Sequence, residues 1–388
     1  MEKKNIVIPR LQFYWRLKSS SNDENIVPDF LPFESSYDET LALLTQRRNK
    51  NVLSSLKKIY KEEPNIGHNQ EISNWSSFYG KDFMQFIEGA LSKNRKNIKK
   101  ILEIGCGGCL LLEAFKKKGY EAIGIDPSSF ALKEGRKRGI KVVRDFFPSK
   151  RIKGKFDLIF HSNVLEHAVS PVGFLKSQYR HLNDGGLVIL AVPDCNRTIL
   201  NGDISMFYHQ HLSYFDDESL KNTLSAAGFK DVKIEKANWG GNLYSAAKKN
   251  DVAKKSKKGL EYYKGNKYKN FLKNYRATSL SVVNFIKSIL KEKGKTLGFY
   301  APLRSLPYTA LMNLQSGFRF FDDTSYWHRS YFDGINVLIE NFEDLKKNPV
   351  TDLFVMSATF EDLIEQKVVK FFGKEIRIKK LTDFYIQK

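Results

Sequence analysis

The chain has 388 residues, enough for two or three domains at roughly 150 residues apiece, and its 41% hydrophobic and 13% aromatic content excludes wholesale disorder. The longest unbroken apolar run, residues 187–193, is far shorter than the ~20 residues of a membrane helix. No secretory signal is visible at the amino end, so a cytoplasmic protein with no membrane partner is expected. The formal charge of +21 brings nucleic acid to mind, yet 48 of the 64 basic residues are Lys and only 16 are Arg. Base and phosphate readout leans on the flat, forked guanidinium, so this balance suggests solvated surface and no nucleic-acid partner.

In chain order, residues 1–98 lack a regular strand-helix rhythm. Asp23, Pro28, Pro32 and Ser35-Ser36 read as loop punctuation, and helical spacing appears over 41–60 and 79–91. This stretch is expected to be an irregular, partly helical region, with the aromatics of Phe13-Tyr14-Trp15 forming a core strand or a lid. From residue 99 short apolar runs alternate with helical patterns: 100–104, 110–118, 121–125, 129–138, 141–143, 156–160, 172–181 and 186–192. That alternation predicts a doubly wound parallel sheet. Residues 219–227 form a further helical stretch, and the runs 232–237 and 243–247, either side of Asn238-Trp-Gly-Gly-Asn242, suit an antiparallel pair. Residues 248–259 read as a polar linker into a long helix with Phe271, Tyr275, Val282, Ile286 and Ile289 on one face. Fourteen Lys and one Arg crowd residues 248–295 against Asp251, Glu261 and Glu292. A second α/β rhythm then runs through 296–301, 308–315, 318–321, 336–338, 342–346, 353–356, 360–371 and 375–379. The fold class is α/β, with two Rossmann-like lobes. The expected domains are 1–98 (helical or lid region), 99–250 (cofactor lobe), 251–295 (basic linker and helix) and 296–388 (second Rossmann-like domain).

Three cysteines, Cys106, Cys109 and Cys195, exclude a disulfide framework. Cys106-Gly-Gly-Cys109 matches a redox spacing but has no second pair to make a four-cysteine zinc site.

The strongest chemical signal is Ile101-Leu-Glu-Ile-Gly105-Cys-Gly107-Gly-Cys109, an apolar strand running into a glycine turn and a helix. Gly105 and Gly107 permit a tight turn and close approach of a ligand to main-chain amides. A dinucleotide fingerprint would need glycine at position 110, where Leu110 stands, and Glu103 would repel a pyrophosphate. Both departures suit S-adenosylmethionine, which carries an amino acid and a ribose but no phosphate. Asp126 follows Gly105 by 21 residues, the spacing of a carboxylate that accepts from ribose hydroxyls. Glu103 would organise the loop or meet the cofactor's ammonium through water, while Asp145 and Phe146 would accept from and cover the adenine.

Glu103 to Gly107, Asp126-Pro127, Phe156-Asp-Leu-Ile-Phe160, Asn163-Val-Leu-Glu-His167 and Leu182-Asn-Asp-Gly-Gly186 resemble class I methyltransferases over residues 99–247. Phe207-Tyr-His-Gln-His211-Leu-Ser-Tyr214-Phe resembles the Tyr-His-Glu-His-Leu-x-Tyr-Phe signature of sugar C-methyltransferases, which act on nucleotide-linked 4-keto deoxysugars. Trp239-Gly-Gly-Asn242 is similar to their Gly-Gly-Ser turn, and Phe320-Phe-Asp-Asp323 with Gly334-Ile-Asn-Val to their second lobe. The resemblance implies S-adenosylmethionine as cofactor, S-adenosylhomocysteine as product and a small-molecule acceptor, a nucleotide sugar. It implies that Asn163 lines the donor site and that His167, His211 and Tyr208 line the reaction centre. There His211 is the base, His167 assists, and Tyr208 orients substrate or steadies an oxyanion. Gln210 and Asn242 fall on the substrate side. Tyr79 would cover the cofactor's methionine end or simply pack.

Two departures stand out. The family's amino-terminal four-cysteine zinc module is missing, so no zinc is expected, and the signature Glu is Gln210, which leaves carbon or oxygen as the methyl acceptor. His209 and His211 lack an evident third ligand, and no metal is expected. His209 should point away from His211 on extended chain, while His161 reads as structural and His68 and His328 carry no motif. Arg304, after the second lobe's first strand, is a candidate contact for an anionic substrate, helped by the basic helix. The competing readings are an O-methyltransferase of another small molecule, an RNA or protein methyltransferase, and a non-catalytic module on the same fold.

Overall fold

The computed structural model describes residues 5–14, 16–19, 24–62, 74–92, 98–250 and 266–387. Trp15, His68 and most of the 248–259 linker lie outside them. The amino-terminal region is built on strands where the sequence suggested loop: β1 (Val7–Gln12), β2 (Phe30–Asp38) and β3 (Leu43–Gln46) precede α1 (Lys50–Glu62) and α2 (Asn74–Ser92). Pro9 and Pro32 are tolerated because the β1–β2 register slips between Ile8 and Leu11, the two prolines fall at that irregularity, and β3 pairs only with residues 35–38 of β2. A bulge is where a residue without an N–H does least harm. The helical spacing read from residue 41 is strand at first because Leu43 and Leu44 are buried, Leu43 paired with Asp38 and Leu44 held between Tyr37 and Tyr214.

Next come β4 (Lys100–Ile104), α3 (Leu110–Lys117), β5 (Glu121–Asp126), α4 (Ser129–Arg138), β6 (Lys141–Arg144), β7 (Phe156–Ser162), α5 (Pro171–His181) and β8 (Leu182–Pro193). They are followed by α6 (Asn196–Asn201), β9 (Ser213–Tyr214), α7 (Asp217–Ala226), β10 (Lys230–Lys236) and β11 (Asn242–Lys248). Seven of these strands form one sheet in the order β10-β11-β8-β7-β4-β5-β6. Pairing is parallel except that β11 runs antiparallel to both β8 and β10. Apolar clusters cover both faces, as a parallel sheet requires. Order reverses beside β4, so the crevice at the carboxyl ends of β4 and β7 is the expected ligand position.

The predicted long helix is α8 (Lys267–Lys291), which buries Phe271, Val282, Ile286 and Ile289. The second lobe comprises β12 (Leu297–Tyr300), α9 (Leu306–Leu311), β13 (Arg319–Phe321), β14 (Ile339–Glu340), α10 (Phe342–Lys347), β15 (Asp352–Val355), α11 (Glu361–Phe372) and β16 (Arg377–Lys380). Its five strands form a parallel sheet in the order β14-β13-β12-β15-β16.

The two lobes and the amino-terminal strands share one core, in which Ile8 and Phe33 pack with Phe207, Phe271, Phe299 and Phe320. β9 belongs to the 208–214 segment yet pairs with β3, so the histidine signature is stitched to the amino-terminal sheet. Asp203, fully buried, accepts hydrogen bonds from Ser205 Oγ at 2.8 Å, Tyr308 Oη at 3.0 Å and Tyr385 Oη at 2.7 Å. The Lys18–Asp333 pair at 3.1 Å makes a second tie across the molecule. These contacts fix the lobes' mutual orientation and therefore the cleft between them. Among the described residues no helix is long and apolar enough to cross a membrane.

Candidate active site

At the end of β4 the chain turns through Gly105 (φ +72°) and Gly107 (φ +44°). A Cβ on Gly105 would stand 2.7 Å from Val164 Cγ2, so the turn has room only for glycine. The Gly107 N–H donates to Asp126 Oδ2 at 3.1 Å, and Ser128 donates to Oδ1 from its N–H at 2.8 Å and its hydroxyl at 2.6 Å. Burial raises the Asp126 pKa against these three donors. Glu103, 3% exposed, has one carboxylate oxygen with no partner among the described residues, and burial drives its pKa well up. An ammonium group is the ligand chemistry that such an acceptor fits.

Asp145 accepts from Ser149 Oγ at 2.6 Å and from the Phe146 N–H at 2.8 Å, and these bonds hold its carboxyl below the usual range. The Phe146 ring, 45% exposed, stands in the cleft and meets Tyr60 edge-on at 6.4 Å. Asn163 takes a left-handed conformation (φ +53°), its N–H bonded to Ala191 O at 3.0 Å. Tyr79, from α2, donates its hydroxyl to Gly240 O and fills the space a Gly240 Cβ would need. It therefore seats the Trp239-Gly-Gly-Asn242 turn while also lining the cleft, as does the buried Asn242. Cys106 and Cys109 are free, buried thiols 3.8 Å apart, packed around the donor turn.

The histidines converge opposite this loop. Leu165–His167 is a single 3-10 turn after β7. The His167 Nδ1–H donates to Gln210 O at 2.8 Å, and the residue lines the cleft. His211 Nε2 shares a 2.8 Å hydrogen bond with the Tyr208 hydroxyl, and the His167 and His211 rings meet edge-on at 5.0 Å. Burial lowers both histidine pKa values; for His211 the neighbouring His167 and Arg304 add to the effect. Burial raises that of Tyr208. His209 turns the other way, into the core, bonded to Gln46 Nε2 at 2.9 Å and Leu31 O at 3.1 Å. His161 is buried on Gln178, and His328 bonds Asp322 O in the second lobe.

Gln210 lines the cleft, but its amide is committed on both sides. Its Oε1 accepts from Tyr60 Oη at 3.2 Å, and its Nε2 donates to Tyr14 O at 3.1 Å. A carboxylate here would set one acceptor against another, a physical reason for the amide.

Sequence reasoning missed Glu166. It is 1% exposed, neither carboxylate oxygen has a hydrogen-bond partner among the described residues, and burial pushes its pKa up to about 8. Its Oε1 lies 3.9 Å from His167 Nε2 and 4.0 Å from His211 Nε2. An acid immediately before His167 was visible, but its burial depends on the 208–212 loop folding over it.

One cavity of about 1390 Å³ joins these parts. The donor turn, Phe146 and the histidine cluster line one side, α1 contributes Leu53, Leu56 and Tyr60, and the second lobe supplies Arg304 and residues 356–359. Residues 301–304 and 356–359 follow β12 and β15, the central strands of the second sheet. The ligand crevices of both lobes therefore open into the same space. The Arg304 main-chain N–H donates to Ala301 O at 3.2 Å, while its guanidinium has no hydrogen-bond or ion-pair partner among the described residues, so its side-chain donors are available to a ligand.

Residues 76–234 match the family model of a methyltransferase domain. The chain contains a class I S-adenosylmethionine-dependent methyltransferase domain, and its donor-site residues fit that cofactor. A ubiquinone biosynthesis O-methyltransferase of Idiomarina loihiensis is 25% identical over 154 residues, 35% of this chain and 63% of that one. Its counterpart in Actinobacillus pleuropneumoniae is 31% identical over 113 residues, 26% and 47% of the two chains. The chain thus spans about half to two thirds of the length of these curated relatives. Among solved structures, an amino pentose methyltransferase from Micromonospora echinaspora aligns with a TM-score of 0.37 at 15% identity, covering 45% of this chain and 95% of its own.

Proposed function

We propose that the protein moves the methyl group of S-adenosylmethionine onto a sugar, nucleotide-linked, in polysaccharide or secondary-metabolite synthesis. The observation that carries this reading is the shared cavity, with a donor turn at one end and the unpaired Arg304 guanidinium at the other. A diphosphate suits a planar, forked donor, and the sugar between them would lie against Tyr208 and His211. When bound, the cofactor supplies an electrophilic methyl group, so the chain need only orient an acceptor and remove its proton.

His211 takes that proton. Burial and the neighbouring His167 and Arg304 keep its imidazole neutral, and Tyr208 orients it through the 2.8 Å bond. His167, anchored on Gln210 O, fixes the loop beside it. A second reading, O-methylation of a different small molecule, draws support from the printed names of the curated relatives. Those alignments span about a third of this chain or less, so they leave most of it outside the argument they offer.

Incubation with labelled methyl donor and a panel of nucleotide sugars, with and without a 4-keto group, tests the proposal. Label in a nucleotide sugar is the expected result. Label in bulk RNA, or only in a free phenol, with none in the sugars, contradicts it.

A further inference from the structure

From the disposition of Glu166, His167 and His211 we infer that the acceptor side of the cleft is a binding site for one divalent transition-metal ion of the zinc type. The inference rests on the methyl-transfer reading above and, where the ion is bound, replaces His211 as the base in that reading. One ligand atom from each of the three residues lies within 4.8 Å of the other two, and among the described residues no other group of His, Cys, Asp and Glu comes so close together. Two imidazoles and a carboxylate are a ligand set for zinc or iron rather than for magnesium or calcium.

Three further observations point to a cation. First, the Glu166 carboxylate is 1% exposed with both oxygens unpartnered among the described residues. A buried carboxylate is tolerated when a cation or several donors face it. Second, the His167 Nδ1–H is spent on a main-chain carbonyl, Gln210 O at 2.8 Å. That bond fixes the tautomer that presents a lone pair at Nε2, the outer-shell arrangement of metal-ligating histidines. Third, all three residues line the large cavity, which leaves the open side of an ion accessible to a substrate oxygen.

The 3.9 and 4.0 Å separations from Glu166 Oε1 exceed by about half an ångström the ligand spacing of a tetrahedral site with bonds of ~2.0–2.1 Å. Small side-chain rotations close that gap, with the Tyr208 hydroxyl swinging off His211 Nε2. An ion held there polarises the acceptor's oxygen and lowers the pKa of its hydroxyl. The O–H proton leaves to water in the open cleft, and the metal keeps its oxidation state. In this form the His211 lone pair belongs to the ion, and acidification of the bound oxygen replaces abstraction by the free imidazole. The trio differs from the His209–His211 pair considered in sequence and from any cysteine-built zinc module.

The test is titration of the chelator-treated full chain with cobalt(II), followed by its visible d–d absorption, and with zinc(II) in competition. One equivalent with absorption of tetrahedral intensity is expected. Glu166→Gln and His211→Ala should each weaken binding by ~10²-fold or more, whereas His328→Ala in the second lobe keeps one equivalent. Unchanged calorimetric binding of S-adenosylhomocysteine identifies the variants that have kept their fold. Absence of a stoichiometric cobalt site, or equal binding by wild type and both variants, overturns the inference. Full methyl transfer by chelated protein overturns its catalytic part while leaving the methyl-transfer reading intact. Cobalt bound as expected with no acceptor methylated rejects that reading and keeps the site.

Discussion

The donor end and the acceptor end of the cleft are built in opposite ways. On the donor end the partners are close in sequence: Gly107 reaches Asp126 across 19 residues and Ser128 reaches it across two. On the acceptor end they are remote. Gln210 is held by Tyr60 and Tyr14, 150 and 196 residues away, His209 by Gln46 at 163, and His167 by Gln210 at 43. A cofactor common to many reactions can be held by one local strand-turn-helix unit. The proposed acceptor site is assembled from the amino-terminal sheet, α1, the 207–214 segment and the second lobe, the parts on which substrate choice would then rest.

The largest effect expected from breaking this contrast is at the acceptor end. His211→Ala should lower kcat by ~10²–10⁴-fold while S-adenosylhomocysteine binding, measured by calorimetry, stays unchanged. Loss of both in parallel would mean the two ends are not separable. At the donor end, Glu103→Gln should weaken S-adenosylmethionine by ~10–100-fold, through loss of a charge-assisted hydrogen bond. The same change should raise the melting temperature of the free protein near neutral pH. The sign follows from the raised pKa of Glu103: its burial costs nothing while the carboxyl is protonated and costs more as pH rises past the ordinary carboxylate range. Lower stability in Glu103→Gln would contradict that account.

Two smaller effects are expected on stability. Gln210→Glu should cost about 1–3 kcal/mol of stability in denaturant unfolding, because the Tyr14 carbonyl loses its donor, while donor affinity holds. His161 is buried under the sheet with its pKa pushed from 6.5 down to about 3 by burial. The unfolded chain binds a proton there that the folded chain refuses, so stability is complete above pH ~6.5 and falls as the pH drops. Its share of the loss is about 2 kcal/mol at pH 5. His161→Asn should flatten that slope, and an unaltered pH profile would assign the acid sensitivity elsewhere.

The same contrast explains what was legible in the sequence. Most strands of both Rossmann-like sheets and the apolar face of α8 could be read, because burial on both faces leaves short apolar runs and a helical stripe; the run at 336–338 falls just short of β14, and β8 begins four residues before the expected 186–192. The glycine turn and Asp126, the expected donor site, were legible for the same local reason, since Gly107 and Ser128 bond that carboxylate from nearby in sequence. β1 to β3 were not, since their prolines sit at a register slip that only the paired strand reveals. Nor was Glu166, because nothing in Leu165-Glu166-His167 says which side chain the remote 208–212 loop will cover. Gln210 was read as a substrate contact, and its role as a strut between Tyr60 and Tyr14 needed the tertiary structure.

In the proposed reaction, donor and anionic acceptor share one cavity, with Arg304 gripping the acceptor's charge. The direct measurement is methyl transfer by wild type and Arg304→Ala to a nucleotide sugar and to the same sugar without its diphosphate. A rise in KM of ~10-fold or more for the nucleotide sugar, with the weaker free-sugar reaction unaffected, is the predicted result. Equal kinetics of the two proteins on both acceptors would contradict the claim.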